Sequence, residues 1–520
     1  MPEVPDSISL ERFMFDENYG RHPMGYSRPP FTCGLTGRKY DAFEMKERVE
    51  LLARALSKEL DIHPDKGTEW DKVVGCFSLN TIDYMTLAWA VHRLGGILSC
   101  VNAAYNADEL EFQMKHSGCK AIFTSLPLIE TCMKGIAKSN IPKEKVYLLP
   151  LAPQITGDMK DPGHKTVDDL VQAGKSLPKQ PASDEKWSQG EGARRTAFLC
   201  YSSGTSGLPK GVMISHRNVI ANTLQVKTHE TPTREEKIKR SLNQEYTENA
   251  LGLLPMSHIY GLIVISHVGP YRGDGVIVLP KYEFKQLLQA VQDYKINMLY
   301  LVPPMIIHLT KSAEICKNYD LSSVEAAFTG AAPLGKETAD DLAKMFPDWA
   351  IRQGYGLTET ATVVCSTVPN DIWFGSSGNL LPGMTAKLLT PEGNEITGYD
   401  QPGELCVKSP SVVLGYLQNE KATKETFVEL SDGRYMRTGD EALISKSSNG
   451  HEHVFITDRI KECVSCSPQP VYNHWLTIHP AQTHQSQRPS SRPGRTRIPP
   501  PLPPRRQRLR RHRRPLRPRG

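Results

Sequence analysis

The sequence predicts an α/β fold on largely parallel sheets, with a smaller β-rich portion after it and a disordered tail. Three observations carry this. Strand-then-helix alternation runs from about residue 44 to residue 460; after Gly378 short strands and tight turns take over; after Glu462 the composition becomes rich in Pro and Arg.

The elements follow in chain order. Residues 72–78 (KVVGCFS) are short and β-branched, so they read as a strand, and 81–94 reads as the helix after it. Residues 121–124 form another strand. Residues 297–302 (NMLYLV) form a strand that breaks at Pro303-Pro304, and 305–310 resumes as a helix. The strand 324–328 runs into Gly330, with a helix expected over 334–346. Residues 228–248 are a polar, charged insertion, expected as an exposed loop or helix. Beyond Gly378, strands are expected at 385–389, 403–408 and 454–456, with PEGNE (391–395) and NGHEH (449–453) as hairpin-type turns.

At 520 residues the chain exceeds one simple domain, since domains run to roughly 100–200 residues. Hydrophobic residues are 39% and charged residues 23%, as in soluble globular proteins. The net charge of +6 misleads as one number. Residues 463–520 hold thirteen Arg, no Lys and no acidic residue, so the first 462 residues carry −7. The body is therefore acidic, which argues against a nucleic-acid-binding role for it. Eleven Cys from Cys33 to Cys466 lack framework spacing, and the N-terminus has no basic or apolar leader pattern. The longest apolar stretches, such as 261–268, fall far short of the ~20 residues of a membrane span. A cytoplasmic protein with free thiols is expected.

The strongest motif is YSSGTSGLPKG, residues 201–211. Gly204, Gly207 and Gly211 permit sharp turns that point N–H groups inward. Ser202, Ser203, Thr205 and Ser206 add hydroxyls, and Lys210 adds a positive charge. This set suits a triphosphate. Pro209 before the lysine and Gly211 after it disfavour the P-loop NTPase pattern. The loop is expected between a strand at 196–200 and a helix at 217–228.

This string resembles the signature of the adenylate-forming superfamily, which includes acyl-CoA synthetases, 4-coumarate–CoA ligases, luciferases and peptide-synthetase adenylation domains. Further motifs follow in order: LPMSHIYGL (254–262), TGAAPL (329–334), QGYGLTET (353–360), YMRTGD (435–440) and TDRIKE (457–462). The resemblance covers about residues 30–462, and HIYG points to the 4-coumarate–CoA ligase-like branch, especially fungal members.

That resemblance implies two packed α/β subdomains (31–378, after an extension at 1–30), a β-rich subdomain (379–462) and a site at their junction. It implies an acid–thiol ligase of secondary metabolism that uses ATP, Mg²⁺ and CoA. An aromatic or medium-chain acid becomes acyl-AMP and then a thioester. Ser202, Ser203, Gly204, Thr205, Ser206, Gly207 and Lys210 would hold the β- and γ-phosphates. Thr358 would contact the α-phosphate and Glu359 would hold Mg²⁺, so Thr358, Glu359 and Lys210 carry the catalysis. Tyr355 would stack on adenine beside the backbone of Gly330, Ala331 and Ala332, while Asp440 and Arg459 would take the ribose. His258, Tyr260, Gly330, Gly354 and Val363 would line the acid pocket. The two glycines would leave room for bulky acids, with Met256, Met305 and Val363 making the pocket apolar.

In this family a C-terminal domain of about a hundred residues follows the hinge and supplies a lysine to the carboxylate. Here Lys461 is the last lysine, so the expectation is a chain that lacks that domain and is impaired. Twelve Pro in residues 463–520 predict disorder. IPPPLPP (498–504) suits an SH3-type partner and the arginines a polyanion, both weak readings. Cys463 and Cys466 lack a second pair for zinc, and the ending Arg519-Gly520 is no peroxisomal tripeptide. Alternatives are an enzyme that loads a carrier protein, a luciferase-like oxygenase, or an inactive binder of nucleotide and acid.

Overall fold

The structure is a computed structural model that describes residues 1–202, 209–242 and 245–460. Ser203–Gly207 of the phosphate motif, Lys461, Glu462 and the whole 463–520 tail lie outside the described residues. The expected α/β class is observed, on three sheets.

The first sheet has seven strands. Five are parallel: Thr196–Ser202, Ile97–Val101, Val73–Phe77, Ala121–Thr124 and Val146–Leu148, in that spatial order. Val73–Phe77 and Ile97–Val101 are buried at every residue, as a parallel sheet covered on both faces requires. Two antiparallel strands extend this sheet, Lys210–Ser215 beside Thr196–Ser202 and then Gly415–Tyr416.

The second sheet has nine strands and the same plan. Phe31–Cys33, Gly275–Val278, Asn249–Gly252, Met298–Leu301, Ala326–Thr329 and the start of Ala350–Leu357 run parallel. Lys39–Tyr40, Thr362–Ser366 and Asn379–Leu380 pair antiparallel at its flanks. Ala350–Leu357 changes partner midway. Its first half lies along Ala326–Thr329, and its second half folds against Thr362–Ser366.

The third sheet is wholly antiparallel: Glu395–Ile396, Thr385–Leu389, Gly403–Lys408, Gly433–Lys446 and Phe427–Leu430, with Glu452–Arg459 on Gly433–Lys446. PEGNE and NGHEH join two of its strand pairs, as the turn residues predict. Buried Asp371 fastens the second hairpin to the 371–378 loop by accepting hydrogen bonds from His453 Nε2 (2.9 Å) and His451 Nδ1 (2.6 Å). No helix among the described residues is long and apolar enough to cross a membrane.

Three local expectations need correction. The phosphate motif does not lead from strand to helix but connects two antiparallel strands, with Ser202 paired to Lys210. Val212 and Ile214 alternate into the core and make 210–215 a strand. A helix N-terminus therefore does not sit directly after the loop. The helix that follows, His216–Ser241, runs far past residue 228 and absorbs much of the charged insertion, even with Pro232 inside it. The helix after residue 302 begins at Pro303, because prolines need no N–H partner in a first turn.

The charges of that insertion serve the core. Partly buried Glu230 pairs with Arg352 (2.8 Å) and Arg272. Arg272 also reaches Asp274 (3.0 Å), which binds Arg234 (2.9 Å). Burial alone would raise the Glu230 carboxyl, but Arg352 and Arg272 overcome it and hold the group down at about 2.

Replacing Glu230 with Gln leaves buried Arg352 without a carboxylate and Arg272 with Asp274 alone, and is expected to destabilise the fold by about 3 kcal/mol, read from denaturant unfolding. The folded pKa is depressed, so the stability this carboxylate contributes is full above its unfolded value near ~4.3. It is lost as pH falls toward about 2. The Glu230→Gln variant should therefore flatten the acid limb of a stability-versus-pH curve.

Candidate active site

Several of the predicted site residues that the structure describes, Ser202, Lys210, Tyr355 and Glu359, gather where the antiparallel extensions of the two large sheets meet. The strand Ala350–Leu357 carries Tyr355 and feeds a short helical turn, Thr358–Thr360, that carries Glu359. This return is tight. A Cβ on Gly356 would lie 1.6 Å from the Thr362 carbonyl oxygen, and one on Gly354 would lie 2.5 Å from Phe328 Cζ. Just past the turn, Ala361 (φ +50°) and Thr362 (φ +114°) adopt left-handed backbone that side chains disfavour. Hydrogen bonds hold the strained residue. Thr362 Oγ1 donates to the Ile259 carbonyl (3.1 Å) and Thr360 Oγ1 to the Thr362 carbonyl (2.9 Å). From the long helix, Asn222 pairs with both backbone groups of Val363, at 2.9 and 3.2 Å.

Glu359 is brought to the base of the phosphate hairpin. Its Oε1 accepts from the Ser202 hydroxyl (3.2 Å) and from the Tyr416 hydroxyl (3.0 Å). Lys210 Nζ stands 5.0 Å from the centre of the Tyr416 ring, a cation–π contact. The arrangement fits Mg²⁺ in one specific way. A nearly buried carboxylate whose two donors share one oxygen keeps the other as a hard ligand. No group of three or more His, Cys, Asp or Glu side chains among the described residues is arranged to hold a metal.

Tyr355, on the strand that feeds this turn, meets Asp440. The Tyr355 hydroxyl donates to Asp440 Oδ2 at 2.5 Å, and Arg459 Nε donates to Asp440 Oδ1 at 3.0 Å. Asp440 is buried on Gly433–Lys446, directly opposite Arg459 on Glu452–Arg459. Burial, then the Asp440 charge, pushes the Tyr355 phenol well above its usual value, so it remains a donor. Gly330 is buried at the end of Ala326–Thr329; Ala331 (φ +68°) is exposed and Ala332 half-buried. Thr358, half-buried, opens the turn before Glu359.

Tyr260, Gly330 and Gly354 also come together. Tyr260 donates its hydroxyl to the Phe328 carbonyl (3.1 Å), and a Cβ on Gly330 would lie 3.3 Å from its ring. Tyr260, Tyr300 and Phe328 pack edge to face at 6.0–6.2 Å. Val363, Met256 and Met305 are buried. His258 is partly buried, and desolvation pushes its imidazole down to about 4, so the ring is neutral at physiological pH. The room expected beside Gly354 is occupied by the Phe328 ring. Behind that ring the Arg352 guanidinium stands 5.4 Å from its centre, already paired with Glu230.

Sequence reasoning missed Tyr416, Asn222 and Phe328. Phe328 directly precedes TGAAPL, which is a usable signal. Asn222 and Tyr416 had no local signal, because their partners lie 141 and 57 residues away.

Comparison with known proteins bears on the family and the fold. The family model described as AMP-binding enzyme matches residues 27–417. The acyl-CoA ligase easD of Emericella nidulans is 37% identical over 485 residues, covering 92% of this chain and 83% of that protein. The acyl-CoA ligase AKT1 of Alternaria alternata is 38% identical over 468 residues, covering 89% and 78%. Among solved structures, the long-chain-fatty-acid-CoA ligase FadD1 of Archaeoglobus fulgidus matches with a TM-score of 0.70 at 20% identity, over 88% of this chain and 85% of that one. ATP-bound MatB of Rhodopseudomonas palustris matches with a TM-score of 0.66 at 23% identity, over 87% and 78%. These structural likenesses bear on the fold.

Replacing Gly356 with Ala drives a methyl into the Thr362 carbonyl and is expected to cost at least ~2 kcal/mol. Gly335→Ala, where a Cβ meets nothing within 4 Å, should be close to neutral. Paired thermal melts of the two variants check this.

Proposed function

The chain belongs to the AMP-binding enzyme family, and on that premise we propose that it activates a carboxylic acid with ATP and passes the acyl group to CoA. The observation that carries this reading is Glu359 meeting Ser202 at 3.2 Å, at the base of the hairpin that bears SSGTSGLPK. Four residues earlier, on the strand that feeds the Glu359 turn, Tyr355 binds Asp440. In this reading the ends of the phosphate motif, the Glu359 carboxylate and the Asp440 carboxylate serve the phosphates, the metal and the ribose of one nucleotide.

The chemistry joins two anions. A carboxylate oxygen forms a bond to the α-phosphorus of ATP, the bond to the β-phosphate bridging oxygen breaks, and pyrophosphate leaves. In this reading Lys210 and the hydroxyls of 202–206 take the β- and γ-phosphates and offset the charge that develops on the leaving group. Mg²⁺, when bound at Glu359, supplies further charge neutralisation on the phosphate oxygens. Thr358 lies against the α-phosphate. Asp440 accepts the ribose hydroxyls and Arg459 steadies that carboxylate, while Tyr355 and the backbone of Gly330, Ala331 and Ala332 receive the adenine. CoA then attacks through its thiol at the acyl carbon and AMP departs.

For the acid, the ring cluster of Tyr260, Phe328 and Tyr300 with neutral His258 favours an apolar acyl group, aromatic or medium-chain. Arg352 is neutralised by Glu230, so a second carboxylate on the substrate has no partner there. Use in secondary metabolism is part of this reading and rests on the likeness to fungal ligases.

Acid-dependent pyrophosphate–ATP exchange across a panel of aromatic and medium-chain acids tests the first half, and thioester formation with CoA against a carrier protein tests the second. Failure of every acid in the exchange assay, with no ATP binding by calorimetry, would sink the proposal. Within it, Asp440→Ala removes a charged acceptor worth about 1.5–3 kcal/mol, so KM for ATP should rise roughly 10- to 100-fold while KM for the acid stays put.

A further inference from the structure

Tyr416 is buried, carries no part of the phosphate or nucleoside motifs, and sits at a crossing of three structures. Its strand, Gly415–Tyr416, pairs with Val212 and Met213 on the strand that begins at Lys210. Backbone bonds continue the contact on both sides: Leu414 N–H to the Met213 carbonyl (3.0 Å) and Leu417 N–H to the Gly211 carbonyl (2.8 Å). Val413 N–H donates to the carbonyl of Glu359 itself at 3.1 Å. From the strand that carries Asp440, Arg434 donates to the carbonyls of Val413 (2.9 Å) and Leu414 (3.0 Å). The segment 413–417 therefore ties the phosphate hairpin, the Glu359 turn and the Asp440 strand together.

The side chain completes the link. The Tyr416 hydroxyl donates to Glu359 Oε1 at 3.0 Å, on the same oxygen that Ser202 reaches at 3.2 Å. Its ring face carries Lys210 Nζ at 5.0 Å. Its own backbone is fixed by Thr423 Oγ1, which accepts from Tyr416 N–H at 3.0 Å. A carboxylate free to rotate would present either oxygen; two donors on Oε1 fix which one remains for an ion.

We infer that Tyr416 is a positioning residue for the metal and phosphate end of the site: its hydroxyl orients the Glu359 carboxylate toward a divalent cation, and its ring holds Lys210 toward the phosphates. This rests on the reading of Glu359 given under Proposed function. A buried Tyr kept only for packing would have no effect on metal binding once its ring is preserved, and that separates the two roles.

The test uses the full chain and two substitutions. Tyr416→Phe keeps the ring over Lys210 and deletes the hydroxyl; Tyr416→Leu deletes both. Mn²⁺ binding in the presence of a non-hydrolysable ATP analogue, followed by electron paramagnetic resonance, is expected to weaken about 10-fold or more in Tyr416→Phe. Metal-free binding of the same analogue should be unchanged in Tyr416→Phe and fall roughly twofold to fivefold in Tyr416→Leu. Mn²⁺ affinity in Tyr416→Phe equal to wild type overturns the orienting role. Equal analogue binding in the two variants overturns the Lys210 role. Glu359→Gln separates this from the underlying reading: if it too leaves Mn²⁺ affinity intact, Glu359 is not the metal ligand and that reading fails. If Tyr416→Phe does not fold, Ser202→Ala, which removes the companion donor at the surface of the same carboxylate, is measured in its place. An unchanged Mn²⁺ affinity there overturns the claim that hydrogen bonding at Oε1 sets the ligand.

Discussion

The strand Ala350–Leu357 imposes the constraint on which the site depends. It leaves a parallel sheet and at once folds back on Thr362–Ser366. The return is so close that Gly356 admits no side chain, and the chain recovers only through left-handed backbone at Ala361 and Thr362. Such strain persists because its surroundings over-determine it. Here the Ile259 carbonyl and the Asn222 amide do so. The product of this geometry is that Tyr355 and Glu359, four residues apart, meet partners on two different sheets, Asp440 on one and Ser202 with Tyr416 on the other.

The buried carboxylates of this protein divide by how fully they are paired. Partly buried Glu230 and buried Asp274 are each paired with two arginines inside the body. Glu359 instead receives two neutral hydroxyls on one oxygen, so much of its negative charge remains available to a ligand. Asp440 lies between these cases, with one neutral donor and one half-exposed arginine.

Side chains that reach main chain also tie the parts together. Asn218 donates to the carbonyls of Pro410 and Val412, Asn222 reads both backbone groups of Val363, and Arg434 grips Val413 and Leu414. Each satisfies carbonyls that a broken sheet would otherwise bury unpaired. Asn218 and Arg434 both act on the segment just before Tyr416.

What the sequence by itself determined was local and periodic. The alternation of 72–78, 121–124 and 297–302 with helices gave the parallel sheets, and the turn residues of 391–395 and 449–453 gave the late hairpins, because backbone preference and alternating burial are written in adjacent residues. The ordered motifs likewise identified the family from contiguous strings. What only the tertiary structure decided was which atoms meet. The phosphate motif proved to join two antiparallel strands because Val212 and Ile214 found a sheet edge to cover. Gly354 proved to make room for Phe328 rather than for ligand. Tyr416 reaches Glu359 across 57 residues of chain, and Asp440 meets Tyr355 across 85. Such contacts depend on sheet order and on a reversal of pairing within one strand. Neither leaves a mark in the residues beside the atoms it brings together.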